Sequence, residues 1–442
     1  MQGQMIFPDS IYALSSGLVP AGVAVIRLSG QHTRAALAAM TGSVPEPRMM
    51  RFGAIRGLDE RLLDQGLTVF FPGPGSFTGE DSCEFHLHGG RAVVAAVLEA
   101  VSTLDGFRQA EAGEFSRRAF LNGKIDLTGA EALSDLVSSE TEAQRRFALA
   151  NASGAQSKLY RGWRHRIIRG RAMIEAELDF SDQEDVPGSV ANETWSDLEA
   201  LAGEIAQHIG SYRRAEIIRN GFKVVILGAP NAGKSSLLNA LAQRDVAIVT
   251  DEPGTTRDLV EVTLDLDGIK TIIIDTAGIR ETTGKVEAIG IARALETAET
   301  ADLLLELFDL AAERSSLSLQ NDVSRISIGT KSDLAPHGQA TCDPDFIISV
   351  TTGEGVSELL SEIQRRALIA AGNFGDVMPS RIRHLELLDK CLLALREGIE
   401  DGALELRAES LRHASEALGR IAGAIGVEDL LDTIFSSFCI GK

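Results

Sequence analysis

Cysteine, positive charge and long apolar runs are all scarce in this sequence, and each shortage excludes something. The four cysteines (Cys83, Cys342, Cys391 and Cys439) are scattered and form no Cys-x-x-Cys pair. Reduced thiols are therefore expected rather than a disulfide framework. No apolar run approaches the ~18 residues of a membrane-spanning helix. The opening residues 1–7 lack the basic start and apolar core of a secretory leader. These features together predict a soluble, cytoplasmic protein. Lys and Arg number 43 against 63 Asp and Glu, a net charge of −20. Such a surface repels polyanions, so binding of nucleic acid by bulk charge is disfavoured and needs a local patch or a partner's surface.

What is present is a chain of 442 residues with 44% hydrophobic and 24% charged content, enough for two or three globular domains. Residues 1–120 read as α+β. Strand patterns occupy residues 22–30, 67–71 and 83–88, the second stopped by Pro72-Gly73-Pro74-Gly75, and an apolar helix follows Gly89-Gly90. Arg27, Glu84 and His88 fall in or at the end of these strands, where spacing alone favours salt-bridged or solvated faces. His86 and His88 share a strand face, but no third ligand lies at a familiar spacing, so a zinc site is rejected. Residues 121–219 become helical, with periodic segments at 121–137, 143–149 and 195–209. Residues 140–171 hold eight basic residues and two acidic ones. That asymmetry fits either an RNA contact or a solvated helix that balances acidic neighbours. Residues 182–189 read as an acidic loop. Residues 220–375 alternate strand and helix as in a doubly wound α/β domain, and helical spacing resumes beyond 380. The α/β unit is thus expected as an insertion into a helical domain made of 121–219 and 376–442.

The central motif is Gly228-Ala229-Pro230-Asn231-Ala232-Gly233-Lys234-Ser235, between a β-branched strand pattern and a helix that starts at Ser236. Strand, G-x-x-x-x-G-K-S and helix form a phosphate-binding loop in its required context. Its glycines admit backbone amides to a diphosphate, Lys234 reaches the β/γ-phosphates, and the Ser235 hydroxyl suits magnesium. Four further segments follow in the order a GTPase needs. The mobile-loop candidate is Gly254-Thr255-Thr256-Arg257-Asp258, with Thr256 directed to magnesium and the γ-phosphate, and Thr250, Asp251, Glu252 and Pro253 before it are further GTP-binding candidates. A hairpin turning at Asp267-Gly268 delivers Asp275, Thr276, Ala277 and Gly278. Thr330, Lys331, Ser332 and Asp333 form the base reader, in which Asp333 accepts from the guanine ring nitrogen and amine. Ser349, Val350 and Thr351 offer an amide to the guanine carbonyl. Ile279 stands where Ras-like enzymes carry a water-orienting glutamine, so water needs another positioner. Asn231 suggests a monovalent cation in the loop, or simply a side chain that fixes loop geometry.

With these motifs in place the chain resembles the MnmE (TrmE) family of tRNA-modifying GTPases along essentially its whole length. The resemblance rests on residues 22–30, Ser76-Phe77-Thr78-Gly79-Glu80-Asp81 through His88-Gly89-Gly90, residues 113–124, and Phe435-Ser436-Ser437-Phe438-Cys439-Ile440-Gly441-Lys442. It implies a multidomain α+β and α/β fold: an N-terminal tetrahydrofolate-binding and dimerisation domain (1–120), a discontinuous helical domain, and an inserted Ras-like P-loop GTPase domain (220–375). By the same resemblance Arg27, Glu84, Lys124 and Lys442 contact the folate, against the plainer reading of Arg27 and Glu84 above. Asn231, Thr250, Glu252 and Thr255 map to a potassium site, Ser235 and Thr256 to magnesium, and Glu287 orients the attacking water. The family works as a homodimer with the FAD-dependent partner MnmG and modifies the five-position of the tRNA wobble uridine. Cys439 corresponds to the family's functional thiol, acting as nucleophile or acid/base group, whereas spacing alone would make it a small apolar core residue. The alternative class is a regulatory or ribosome-assembly GTPase working as a binding switch. One departure stands out: Thr330 replaces the family's usual asparagine, which predicts weaker nucleotide affinity with guanine preference retained through Asp333.

Overall fold

The computed structural model describes residues 7–179, 188–244, 246–248, 260–276, 297–311, 323–334, 343–400, 402–425, 428–436 and 438–441. Its chain divides into two compact units. One contains residues 1–134, 157–165 and 415–442, and the other residues 135–156 and 166–414.

The first unit is built on a six-stranded sheet of β1 (Ser10–Leu14), β2 (Ala21–Ser29), β3 (Arg51–Arg56), β4 (Leu62–Phe71), β5 (Ser82–Gly89) and β6 (Phe107–Gln109). The spatial order is β3-β4-β5-β2-β1-β6. All pairings are antiparallel except β1 with β6. Alternation along β2 and β5 sends Ala24, Ile26, Leu28, Cys83, Phe85 and Leu87 to one face. There they form a core with Leu37 and Met40 of helix Thr33–Thr41 and Val94, Val97 and Val101 of helix Arg91–Ser102. The opposite face is covered at its β1 end, where Phe115 of helix Glu114–Leu121 packs with Ile11, Ala13 and Ala110. Further across, Val23, Leu67 and Phe52 are 57%, 37% and 67% exposed.

The helix expected through residues 121–137 is two helices, Glu114–Leu121 and Leu127–Val137. Gly123, at φ 65°, turns the chain between them, so the apolar periodicity ran across a real break. Leu127, Ala130, Leu431, Phe435 and Phe438 form a small core here. The segment after them pairs Ile440 with Ala112 as an isolated β-bridge. The C-terminal stretch therefore packs within the N-terminal unit. Beneath it lies a buried charge network. Arg118, 1% exposed, donates to Asp9 (2.8 Å), Glu114 (2.9 Å) and Glu80 (3.2 Å), and Arg108 also holds Asp9 and Glu114. Burial pushes the Glu80 carboxyl upward despite Arg118. Burial would also raise Glu114 and Asp9, but hydrogen bonds from Arg108 and Arg118 bring both below the ordinary carboxylate range.

The second unit carries a six-stranded sheet ordered β12-β11-β10-β7-β9-β8. Its strands are β7 (Phe222–Gly228), β8 (Val260–Leu266), β9 (Ile269–Asp275), β10 (Leu303–Asp309), β11 (Arg325–Thr330) and β12 (Phe346–Ile347). Only the β8–β9 pairing is antiparallel, and it turns at Asp267 (φ 55°) and Gly268 (φ 85°) as the Asp-Gly signal predicts. The chain winds outward from β7 to β9 on one side and to β10 on the other. The crevice at the carboxyl ends of these strands is thus a topological switch point, the expected ligand position in an open α/β sheet. The core contains Val224, Ile226, Leu237, Leu241, Leu305, Ile328 and Ile363. Ala143 and Phe147 of helix Glu142–Ala152 enter the same core. The Ala143 amide donates to the Gly268 carbonyl (3.1 Å), and Lys270 pairs with Glu140 (2.5 Å). Helix Gly188–Gly210 packs on helix Ile382–Ile399 in this unit.

Candidate functional sites

The sequence segments singled out for nucleotide binding meet at the carboxyl edge of the second sheet. Gly228 ends β7 with φ 153°, and an added Cβ there would run into the Leu307 carbonyl. Asn231 and Gly233 take left-handed φ values of 64° and 89°. This sequence of conformations turns successive backbone amides towards one concavity at the start of helix Lys234–Ala242. Ala232 and Lys234 are buried and Ser236 is exposed. The Lys234 ammonium donates to the carbonyls of Gly228 (2.9 Å) and Ala229 (2.8 Å), which folds it back over the loop. Ser235 Oγ donates to Asp275 Oδ2 at 2.6 Å. A hydroxyl and a carboxylate this close are hard oxygen donors of the type magnesium takes, so the residues fit that ion. Thr276 donates to the Ile226 carbonyl (2.9 Å), tying the end of β9 to β7.

The base reader is fixed from several sides. Thr330 is buried, and its hydroxyl lies 2.9 Å from the Ala232 carbonyl and 3.1 Å from the Phe308 carbonyl. The link between base reader and phosphate loop is therefore kept by a threonine hydroxyl. Close approach of β11 to the loop replaces the longer reach of an amide. Lys331, at φ 59°, pairs with Asp309 at 2.7 Å, and this hydrogen bond holds the Asp309 carboxyl below its ordinary range. Ser332 reaches Glu354 at 3.3 Å. Ser349 is fully buried and donates to Asp333 Oδ1 at 2.6 Å, with Val350 and Thr351 directly after it. Ser349 thus fixes the Asp333 carboxylate of the candidate base reader as well as carrying an amide, a side-chain contact that spacing did not reveal. Thr250, Asp251, Glu252, Pro253, Gly254, Thr255, Thr256, Ala277, Gly278, Glu287 and Lys442 lie outside the described residues.

A second candidate site lies on the partly open sheet face of the first unit. Strand register sets Arg27 directly opposite Glu84, and Arg27 Nε and Nη2 both donate to Glu84 Oε1, at 3.0 and 2.9 Å. The Arg27 guanidinium lies 5.8 Å from the Phe115 ring centre. Its Nη1 is 3.5 Å from the Gly441 carbonyl, which also accepts from Ser15 Oγ at 3.0 Å. The 438–441 segment is so drawn to the strand that carries Arg27, and Cys439 within it is exposed rather than in a core. Lys124 donates to the Pro74 carbonyl (2.8 Å), on the loop between β4 and β5. His86 reaches Glu84 Oε2 at 3.2 Å, whereas His88 turns to Asp64 at 2.9 Å. The two histidines part, and no metal-holding cluster of His, Cys, Asp and Glu occurs among the described residues.

The basic run is largely engaged. Arg145 and Arg146 pair with Glu142, Arg161 with Asp126, Arg166 with Asp197 and Glu204, and Arg171 with Glu175. Arg164 donates to the Ser415 carbonyl. This pattern favours helices balanced by acidic neighbours over a free RNA surface. No described helix is long and apolar enough to cross a membrane.

Comparison with known proteins finds relatives along the whole chain. The GTP-binding protein TrmE N-terminus family matches residues 10–124, and the MnmE helical domain family matches residues 127–439. The tRNA modification GTPase MnmE of Mesorhizobium japonicum is 59% identical over 99% of this chain and 100% of its own length. That of Chelativorans sp. is 56% identical over the full length of both. Among solved structures, an Era variant from Aquifex aeolicus bound to GDP and aluminium fluoride is 24% identical, covering 39% of this chain and 66% of its own, at a TM-score of 0.27. Matches to both parts of the family, together with identity above one half along the whole chain, establish that this protein belongs to the MnmE family of tRNA modification GTPases.

Proposed function

We propose that this protein is a potassium-activated GTPase that uses a tetrahydrofolate one-carbon unit to modify the five-position of the tRNA wobble uridine. It acts as a cytoplasmic homodimer with an MnmG-type, FAD-dependent partner. The observation that carries the reading is the Arg27–Glu84 pair on the sheet face with the Gly441 carbonyl beside Arg27. A guanidinium and a carboxylate, each half-buried, suit a ligand that has both an anionic part and a donor edge. In this reading Arg27, Glu84, Lys124 and Lys442 hold the folate, and Cys439 serves the modification step from the segment that reaches Arg27. The exposed Val23, Phe52 and Leu67 on the same face give a second copy an apolar surface to cover.

In the second unit, Lys234 would leave the loop carbonyls for the β/γ-phosphates. Ser235 and Thr256 would hold magnesium, which supplies charge neutralisation at the phosphates when bound. Asn231, Thr250, Glu252 and Thr255 would hold potassium, and Glu287 would orient the attacking water in place of the missing glutamine. The proposed domains are 1–120, 121–219 with 376–442, and 220–375. Loss of the γ-phosphate contacts would release the loops around Thr256 and Gly278 and so time chemistry elsewhere in the protein.

The test is nucleoside analysis of tRNA from cells whose sole copy carries Cys439→Ser. The expected result is loss of the modified wobble uridine with GTP hydrolysis still measurable. An unchanged nucleoside profile would favour the binding-switch alternative. Exchange of potassium for sodium should sharply slow hydrolysis, and equal rates in the two salts would remove the cation role.

A further inference from the structure

We propose that His86 is a positioning residue of the folate site. It holds the second oxygen of Glu84 so that this oxygen can accept from one N–H donor on the edge of a pterin ring. This deepens the folate reading and rests on it.

The two oxygens of Glu84 are held by different partners. Both Arg27 donors go to Oε1, so the arginine alone leaves the carboxylate plane free to rotate. His86 Nε2 reaches the other oxygen, Oε2, at 3.2 Å. The geometry follows from strand alternation, since Glu84 and His86 are two residues apart on β5 and share a face. Register then sets Val25 and Leu67 on either side of His86. These neighbours confine the imidazole and leave it 22% exposed, while the Glu84 side chain stays 18% exposed and reachable. His88, the next residue on that face, is taken by Asp64 through both its ring and its amide, so it does not compete for Glu84.

A pterin presents a ring N–H and an exocyclic amine side by side. A donor on that edge asks for a carboxylate whose plane is already set, because a rotating acceptor must be ordered at the moment of binding. Arg27 takes both lone pairs of Oε1 and His86 one of Oε2, which leaves one lone pair of Oε2 for the ligand. For this the Nε2 atom must carry the proton, so the Nδ1 atom of neutral His86 is an acceptor. His86 touches Glu84 rather than the reacting carbon and is therefore placed as a positioning residue.

The experiment measures tetrahydrofolate binding to the full chain by calorimetry under reducing conditions, for the unaltered protein and for His86→Leu, His86→Gln, Glu84→Gln and the double variant His86→Leu/Glu84→Gln. Circular dichroism melting serves as the folding control. His86→Leu is expected to weaken binding about tenfold, the effect of one lost hydrogen bond to a charged group. His86→Gln, whose amide nitrogen can occupy the place of Nε2, is expected to restore binding to within about threefold. In the Glu84→Gln background His86→Leu should cost little more, since its effect passes through that carboxylate. Unchanged binding by His86→Leu, failure of His86→Gln to rescue, or full additivity in the double variant would each overturn the proposal. If the unaltered chain bound no tetrahydrofolate, the folate reading itself would fall, and this proposal with it.

Discussion

The nucleotide site and the sheet-face site are built in opposite ways. The first is made mainly of backbone: a strand, the loop 229–233 and a helix start lie consecutively, and positive φ values at Gly228, Asn231 and Gly233 aim the amides. The second is made of side chains from distant parts of the chain. Arg27 and Glu84 are 57 residues apart, and Gly441 is 414 residues beyond Arg27. A backbone site demands a fixed local sequence, whereas a side-chain site demands only strand register. The first therefore tolerates almost no substitution at its glycines, and the second rests on single charged groups that can be removed without refolding the sheet.

The comparison breaks most severely at Lys234. Lys234→Ala should lower GTP hydrolysis by about two to three orders of magnitude, the usual effect of losing one transition-state charge contact. Single-turnover hydrolysis with saturating GTP checks it. Next comes the base reader. Asp333→Asn replaces an acceptor with a donor and should weaken GTP binding by about two orders of magnitude, as expected for hydrogen bonds to a charged group. The same change should raise relative affinity for the xanthine nucleotide, which keeps the ring N–H but carries an accepting carbonyl in place of the amine. Competition binding of the GTP, ATP and XTP series decides it. Ser349→Ala should have a milder effect, about tenfold in guanine preference, because the carboxylate remains but loses the 2.6 Å donor that aims it.

This contrast also explains what could be read from the residues alone. The phosphate loop, the Asp-Gly hairpin and the base reader are contiguous signals, and the hairpin and β7, β9 and β11 lie where the pattern put them. Arg27 and Glu84 were visible as charges in strands, where spacing favoured salt-bridged or solvated faces without naming the partner. Only the β2–β5 register pairs them, and register depends on contacts between strands rather than along them. β1 and β3 were not marked, since Ser10–Leu14 and Arg51–Arg56 are short. The break at Gly123 was hidden because apolar residues continue in helical phase on both sides of it. In the buried Arg118 network only the four-residue spacing of Glu114 and Arg118 is local, since Asp9 and Glu80 come from separate segments.

Thr330 sharpens the comparison, because there a side chain does work within the backbone site. Its hydroxyl ties β11 to the Ala232 carbonyl. Thr330→Val keeps the shape and removes the donor, which should cost about 1 kcal/mol in nucleotide affinity. Thr330→Asn tests whether the family's usual residue binds GTP more tightly here. Tighter binding would mean the asparagine's additional bond to the purine is missing in this chain. Unchanged binding would mean the threonine already supplies what the site needs.

The smallest effect concerns acid, and it belongs to the first unit. Asp9 and Glu114 are held below their ordinary values of 3.8 and 4.5. Their contribution to stability is present above those values and is lost as pH falls through the depressed ones. Glu80 is raised above 4.5 by burial. Its contribution has the opposite sign, being fully present below 4.5 and lost as pH rises through the folded value. Hydrogen exchange of amides in helix Glu114–Leu121 can separate the two. The protection of unaltered protein relative to Glu80→Gln should be greater at pH 4 than at pH 7. Equal differences at the two pH values would mean that Arg118 fully offsets the burial of Glu80. The network would then be held as tightly as the phosphate loop, despite being assembled from segments far apart in the chain.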